Sequence, residues 1–121
     1  VALERENTKL NHTRFDDNVT ATFADSTHRA FTVGSVSIGI SSCPTLNTYV
    51  NNLTQQGEIE EVALFDGVNT GVNGNIVYTA LLNQTKVGFD GLSYDFQMIV
   101  PESGLATWTS STAYYLYVEL S

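Results

Sequence analysis

Carboxylates are the most numerous side chains here with the capacity for chemistry. Glu58, Glu60 and Glu61 stand together in EIEE, and Asp66 follows in FDG. Two carboxyl groups about 5–9 Å apart, one of them kept protonated, are the machinery of glycoside hydrolysis. Glu58 and Glu60 would share one face of a strand, but their solvated neighbours predict an exposed edge. The run DGVNTGVN, Asp66 to Asn73, offers oxygen ligands of the kind calcium takes. It carries one carboxylate and lacks the spacing of an EF-hand, so an ordinary turn is expected. His12 and His28 sit in polar company, are not spaced with Cys43 in a zinc pattern, and are expected as solvated turn residues. Cys43, in ISSCPTL, has no basic neighbour to activate it and reads as a small, buried strand-end residue. Ser37 precedes Gly39 by two, but Ser35 stands where a nucleophile elbow needs its first glycine. No phosphate loop or dinucleotide glycine motif occurs. The chain is therefore expected to have no catalytic residue, no cofactor and no metal.

The elements that must carry these groups read as strands. EIEEVALFD ends abruptly at Asp66-Gly67, where DGVNTGVNGN supplies residues that tolerate positive φ and bond their own backbone. In NIVYTALLNQ, Ile76, Tyr78, Ala80 and Leu82 alternate with Val77, Thr79 and Leu81. In LSYDFQMIV, Leu92, Tyr94, Phe96, Met98 and Val100 face away from Ser93, Asp95 and Gln97, the period of a half-buried strand. TAYYLYVEL puts Tyr114, Leu116, Val118 and Leu120 on one side and Ala113, Tyr115, Tyr117 and Glu119 on the other. A closing strand that apolar on both sides must be central in a sheet or covered. Upstream, VTATFA reads as a strand. RAFTVGSVSIGI reads as one long strand whose phase slips at Gly34-Ser35, the mark of a bulge. LNTYVNNLTQQG carries a helical stripe at Leu46, Tyr49, Val50 and Leu53, yet its first residues also suit a short strand, which is the favoured reading. Strands at 19–24, 29–40, 46–50, 58–65, 75–82, 86–90, 92–100 and 112–120 predict an all-β chain. The expected fold is an antiparallel β-sandwich of about eight strands, jelly-roll or immunoglobulin-like.

Length bounds the organisation. With 121 residues, 42% of them hydrophobic, the chain is expected to make one domain that buries roughly two-thirds of its unfolded surface. No apolar run approaches the ~18 residues of a membrane span, so no membrane insertion is expected. VALERENTKL lacks the features of a signal peptide, which leaves export open. The net charge of −8 is uneven: residues 1–30 hold four basic and five acidic side chains, whereas residues 31–121 hold eight acidic ones and only Lys86. Such a body repels phosphate, and nucleic acid is excluded as a partner.

Residues 1–18 show no strand alternation; Ala2, Leu3 and Leu10 fit a short helix, but about nine residues make a marginal one in water, and the stretch is expected as an extended arm with few contacts to the domain at 19–121. Arg5, Lys9, Leu10, Arg14 and Phe15 are its candidate contacts with a neighbouring copy. Trp108, in ATWTSST, and Tyr115 and Tyr117 downstream are candidate exposed aromatic contacts, the kind of rings on which a sugar stacks. Sequons at Asn11, Asn18, Asn52 and Asn83 are candidate glycosylation sites if the protein is exported.

Across EVALFDG, GNIVYTALL and LSYDFQMIV the chain resembles the β-sandwich structural proteins of tailed-virus virions. There a strand ending in a GLFD-like turn is followed by a Gly-rich loop and two further strands. The resemblance implies a head decoration or tail component that assembles with copies of itself and with a capsid or other structural protein, through sheet edges and an N-terminal arm. The final strand is also similar to that of archaeal surface-filament and archaellum periplasmic subunits. Those are β-sandwiches with a hydrophobic N-terminal helix, which this sequence does not show. That second resemblance implies a cell-surface or extracellular location instead of the virion.

Overall fold

The fold is organised around one long strand. In the computed structural model, which describes residues 2–48, 56–67, 75–101, 107, 109–111 and 113–120, β4 runs over Gln56–Phe65 between β3, Thr45–Thr48, and β5, Ile76–Leu81. Both neighbours are antiparallel. Thr45 faces Val62 and Asn47 faces Glu60 on one side, and six pairs from Glu60–Leu81 to Phe65–Ile76 form the other. The register shifts at Asn47/Thr48, where a bulge ends the β3 ladder. β4 and β5 lie close to the boundaries that alternation predicts.

Because side chains on a strand alternate, β4 feeds two separate cores. Ala63 points to a cluster with Leu10, Val19 and Phe23, which Leu3, Leu46 and Ile76 flank. Val62 and Leu64 point the opposite way, to Leu81 and to the partly buried Phe31, Ile38 and Cys43. Helices cover the first face and a hairpin the second. With Ile59, Val62 and Ala63 essentially inaccessible to solvent, each large side chain contributes about 1.5–3 kcal/mol of burial.

The helical cover corrects the expected extended arm. Ala2–Lys9 forms α1, and Leu10 after it is buried in the protein's own core. Val19–Thr22, expected as part of a strand, is instead α2. Two asparagines explain this. The Val19 N–H donates to Asn7 Oδ1 at 2.6 Å, and the Ala21 N–H donates to Asn18 Oδ1 at 3.0 Å. Both satisfy amides that a helix start leaves unpaired. Asn7 Nδ2 also donates to Thr20 Oγ1 at 2.7 Å, so a buried side chain of α1 fixes the start of α2.

A second correction lies at Gly34. Instead of one bulged strand, the chain forms a hairpin of β1, Phe31–Val33, and β2, Val36–Ile38, with Val33 paired to Val36. Gly34 takes a φ of +57° in its two-residue turn, the position where such turns favour glycine. The phase slip in the sequence is thus a chain reversal. The connection from α2 is held by Asp25. Its Oδ1 accepts from the Ser26 and Thr27 amides and the Thr27 hydroxyl, while Oδ2 accepts from Asn47 Nδ2 at 2.9 Å. The Ser26 amide leads in holding the Asp25 carboxyl below the usual carboxylate range.

The last third departs furthest from expectation. β6, Lys86–Val87, and β7, Ser93–Tyr94, form a minimal hairpin in place of strands at 86–90 and 92–100. Its turn is closed by Gly88 N–H to Leu92 O, and by Tyr94 Oη donating to Asp90 Oδ2 at 2.8 Å. The Asp95 carbonyl and carboxylate then accept from the Asn83 and Thr85 amides, which draws the chain out of the ladder after Tyr94. Of the strand expected at 112–120, the described residues 113–120 pair with no other strand. Among the described residues the protein is predominantly β, with seven strands in three antiparallel sheets and two short helices. No described helix is long and apolar enough to cross a membrane.

Candidate functional site

Glu60 and Glu61 both occupy the middle of the central strand, and this overturns the expectation of an exposed carboxylate edge. Each is only 8% exposed. Being consecutive on a strand, they face opposite sides of the sheet, so they cannot flank one substrate in the way paired glycosidase carboxyls do. Glu58, at the end of the sheet, is exposed and pairs with Lys86 at 3.0 Å.

Glu61 lies on the helix side, across from Ala80 and Leu46, in a cavity lined by Phe23, Tyr78, Met98 and Ile99. The cavity measures about 10 Å³, no more than one water molecule needs. The carboxyl accepts from the Ile99 amide, yet its burial among apolar groups dominates and pushes it up to about 7. Its Oε2 has no hydrogen-bond partner. Tyr78, on the same face, is pushed up to about 12 by burial, then by Glu6 and Tyr114, and its ring contacts Phe23 at 5.7 Å. The Ile99 contact ties the segment after β7 down across the sheet. Sequence reasoning missed Glu61 because EIEE reads as polar. The available signal was VALF directly after it, a continuous apolar run that marks a strand covered on both faces.

His28 is also misread by its polar company: it is 2% exposed. Its Nε2 accepts from the Cys43 N–H at 3.0 Å, which leaves the proton on Nδ1, 2.7 Å from the Arg29 carbonyl. Both ring nitrogens are used in joining the start of β1 to the start of β3. Cys43 is half-buried with its backbone in that link. His12 is half-buried and meets the Phe15 ring edge-on at 5.8 Å. Among the described residues no group of three or more His, Cys, Asp or Glu could hold a metal ion. Most of the Asp66 to Asn73 run lies outside the described residues, and Asp66 Oδ2 accepts from Asn75 Nδ2.

The candidate arm contacts are largely engaged within the chain. Leu10 is in the core, Arg5 donates to Asn75 Oδ1 at 3.4 Å, and Lys9 lies 3.9 Å from Glu6. Arg14 and Phe15 are exposed. Of the sequons, Asn11 is exposed in the turn after α1, Asn18 caps α2, Asn83 donates to the Glu58 carbonyl, and Asn52 lies outside the described residues. Trp108 lies outside them as well.

What stands open is the C-terminal segment. Tyr114, Tyr115, Leu116, Tyr117, Val118 and Leu120 are between 61% and 91% exposed. Phe96, Ile99 and Val100, upstream in sequence, are exposed as well. The Glu119 carboxylate ties 113–120 to the hairpin by accepting the Gly34 amide, at 2.8 Å on Oε1 and 3.1 Å on Oε2, and Tyr114 lies near Tyr78. Three tyrosines at that exposure leave on the order of 450 Å² open, given ~200 Å² for each side chain.

No protein-family model matches the chain, no curated protein matches it, and no solved structure matches its fold.

Proposed function

We propose that the protein is a non-enzymatic structural subunit that assembles with further copies of itself through its C-terminal segment, in the manner of a virion decoration or tail component. One observation carries this reading: the segment 113–120 is a strand in sequence pattern, apolar on both faces, and has no ladder partner among the described residues. Unpaired strands of that kind are templates for association. The buried carboxylates support the non-enzymatic reading, since they face opposite sides of a sheet and the Glu61 cavity admits no organic substrate. The role assigned to an N-terminal arm passes to the C-terminus, because Leu10 is spent on the core. In this reading the β-sandwich expected from the strand count is completed only in the assembly.

Light scattering on a sizing column tests the proposal. The intact chain should give multiples of 13.2 kDa and a chain ending at residue 112 a monomer. Added salt should drive assembly further, since it screens repulsion between copies that each carry −8. A single 13.2 kDa species at every concentration and salt level would remove the basis of the reading. A second reading, a subunit of an extracellular surface filament, is favoured by the exposed sequon at Asn11. Glycan mass on Asn11 in native material would select it over the virion.

A further inference from the structure

The three-stranded sheet has one covered edge and one open edge. On the β3 side, the Thr45 N–H donates to the Asp25 carbonyl at 2.7 Å, and Asp25 bridges Thr45 as an isolated antiparallel pair. Asp25 Oδ2 also takes the Asn47 side chain. That edge is closed to a further strand. β5 is different: it pairs with β4 along its whole length and forms no bridge on its outer side among the described residues. Val77 on this edge strand is 46% exposed, whereas Tyr78, packed on Phe23, keeps 36%.

Among the described residues the chain therefore presents a free place beside a sheet and a strand-patterned segment, 113–120, which touches its own fold through Glu119 at Gly34 and Tyr114 near Tyr78 but joins no ladder. Ile76–Leu81 supplies a ladder of six residues, and Ala113–Leu120 is long enough to span it. Both alternate with period 2, so one register can place apolar side chains on both faces at once. The geometry points to strand donation between copies: Ala113–Leu120 of one molecule adds to the open β5 edge of a second, as main-chain hydrogen bonds do in other strand-addition contacts. The inference rests on the proposed self-assembly and names the edge that it uses. Charge fits the pairing. Ile76–Leu81 carries no charged residue, and Ala113–Leu120 carries only Glu119, so the ladder brings no like charges face to face within it despite the acidity of the whole. A contact in which each copy gives a strand and receives one is heterologous, and it closes into a ring or runs on as a filament according to the rotation between copies.

Cysteine bridging between two pools of the full-length protein tests this, with Cys43→Ala in both. One pool carries Leu116→Cys and an affinity tag. The other is a set of untagged single variants along the edge: Ile76→Cys, Val77→Cys, Tyr78→Cys, Thr79→Cys and Ala80→Cys. A disulfide needs Cα atoms about 4.4–6.8 Å apart and the diagonal neighbours of a cross-strand pair lie about 7–8 Å away, so one position along β5 should bridge at least tenfold better than the others. Equal bridging at all five positions would mean simple proximity and would overturn the inference. No mixed bridge in protein that scatters as an oligomer would overturn strand donation while leaving the subunit reading intact. No bridge in protein that stays monomeric would overturn both. A chain carrying Leu116→Cys and Thr79→Cys together, bridged without a second molecule, would assign the segment to its own sheet and also overturn the inference.

Discussion

Replacing Leu116 and Val118 together with aspartate should leave the protein folded and turn the assembly into monomers. Both side chains lie on one face of the C-terminal segment, and at 67% and 73% exposure they contribute little to the isolated fold. In an assembled sheet the two sites become buried. Losing two buried aliphatic side chains costs about 1.5–3 kcal/mol each, and placing carboxylates there adds several kcal/mol per uncompensated ion. A total above about 5 kcal/mol corresponds to a rise of more than a thousandfold in the dissociation constant. Light scattering reads the loss of mass, and far-ultraviolet circular dichroism reads the retained fold. The aspartates also make each copy more negative, from −8 to −10, so long-range repulsion needs a control. Leu116→Lys with Val118→Lys moves the charge the other way, from −8 to −6. Desolvation predicts that both pairs dissociate the assembly. If the lysine pair assembles normally, charge and not burial of this face governs association.

The second large effect is on stability against pH, and it comes from Glu61. Its carboxyl is raised in the fold from 4.5 to about 7, so the folded protein holds this proton more tightly than the unfolded chain does. The stabilisation is complete below about pH 4.5. It falls as the pH rises through the interval to about 7, above which the fold carries a buried carboxylate. That interval corresponds to about 3 kcal/mol. Glu61→Gln keeps the shape and an oxygen to accept the Ile99 amide, and it removes the titration. Urea unfolding at several pH values between 5 and 8 should therefore show a decline in the parent that is flattened in the variant, with the variant the more stable at pH 8. The Leu116→Asp/Val118→Asp background is the right host, since association would add its own concentration dependence. An unchanged slope in Glu61→Gln would place the pH dependence elsewhere.

These two sites show what the sequence could and could not convey. The β4–β5 pair was legible because VALF and NIVYTALL carry strong apolar patterns bounded by Gly and Asn turns. Which strand would be central was not legible, and centrality is what buries Glu60 and Glu61. Val19–Thr22 has the composition of a strand, and the deciding contact is Asn7, twelve residues away in sequence; no local window contains it. Gly34 was found as a break in phase, but a bulge and a hairpin leave the same trace, and only the pairing of Val33 with Val36 separates them. The C-terminal segment alternates with period 2 and is apolar on both sides, yet its described residues 113–120 form no strand and stay exposed. Periodicity does not reveal whether a strand pattern finds a ladder within its own chain.

Amide hydrogen exchange across Ala113–Leu120, followed in the intact protein above and below its assembly concentration, tests the central claim most directly. The account predicts protection of these amides in the assembled protein, and exchange at free-chain rates in the dilute protein and in the Leu116→Asp/Val118→Asp variant. Free exchange of these amides in protein that scatters as an oligomer would contradict it, and would mean that the copies meet through another surface.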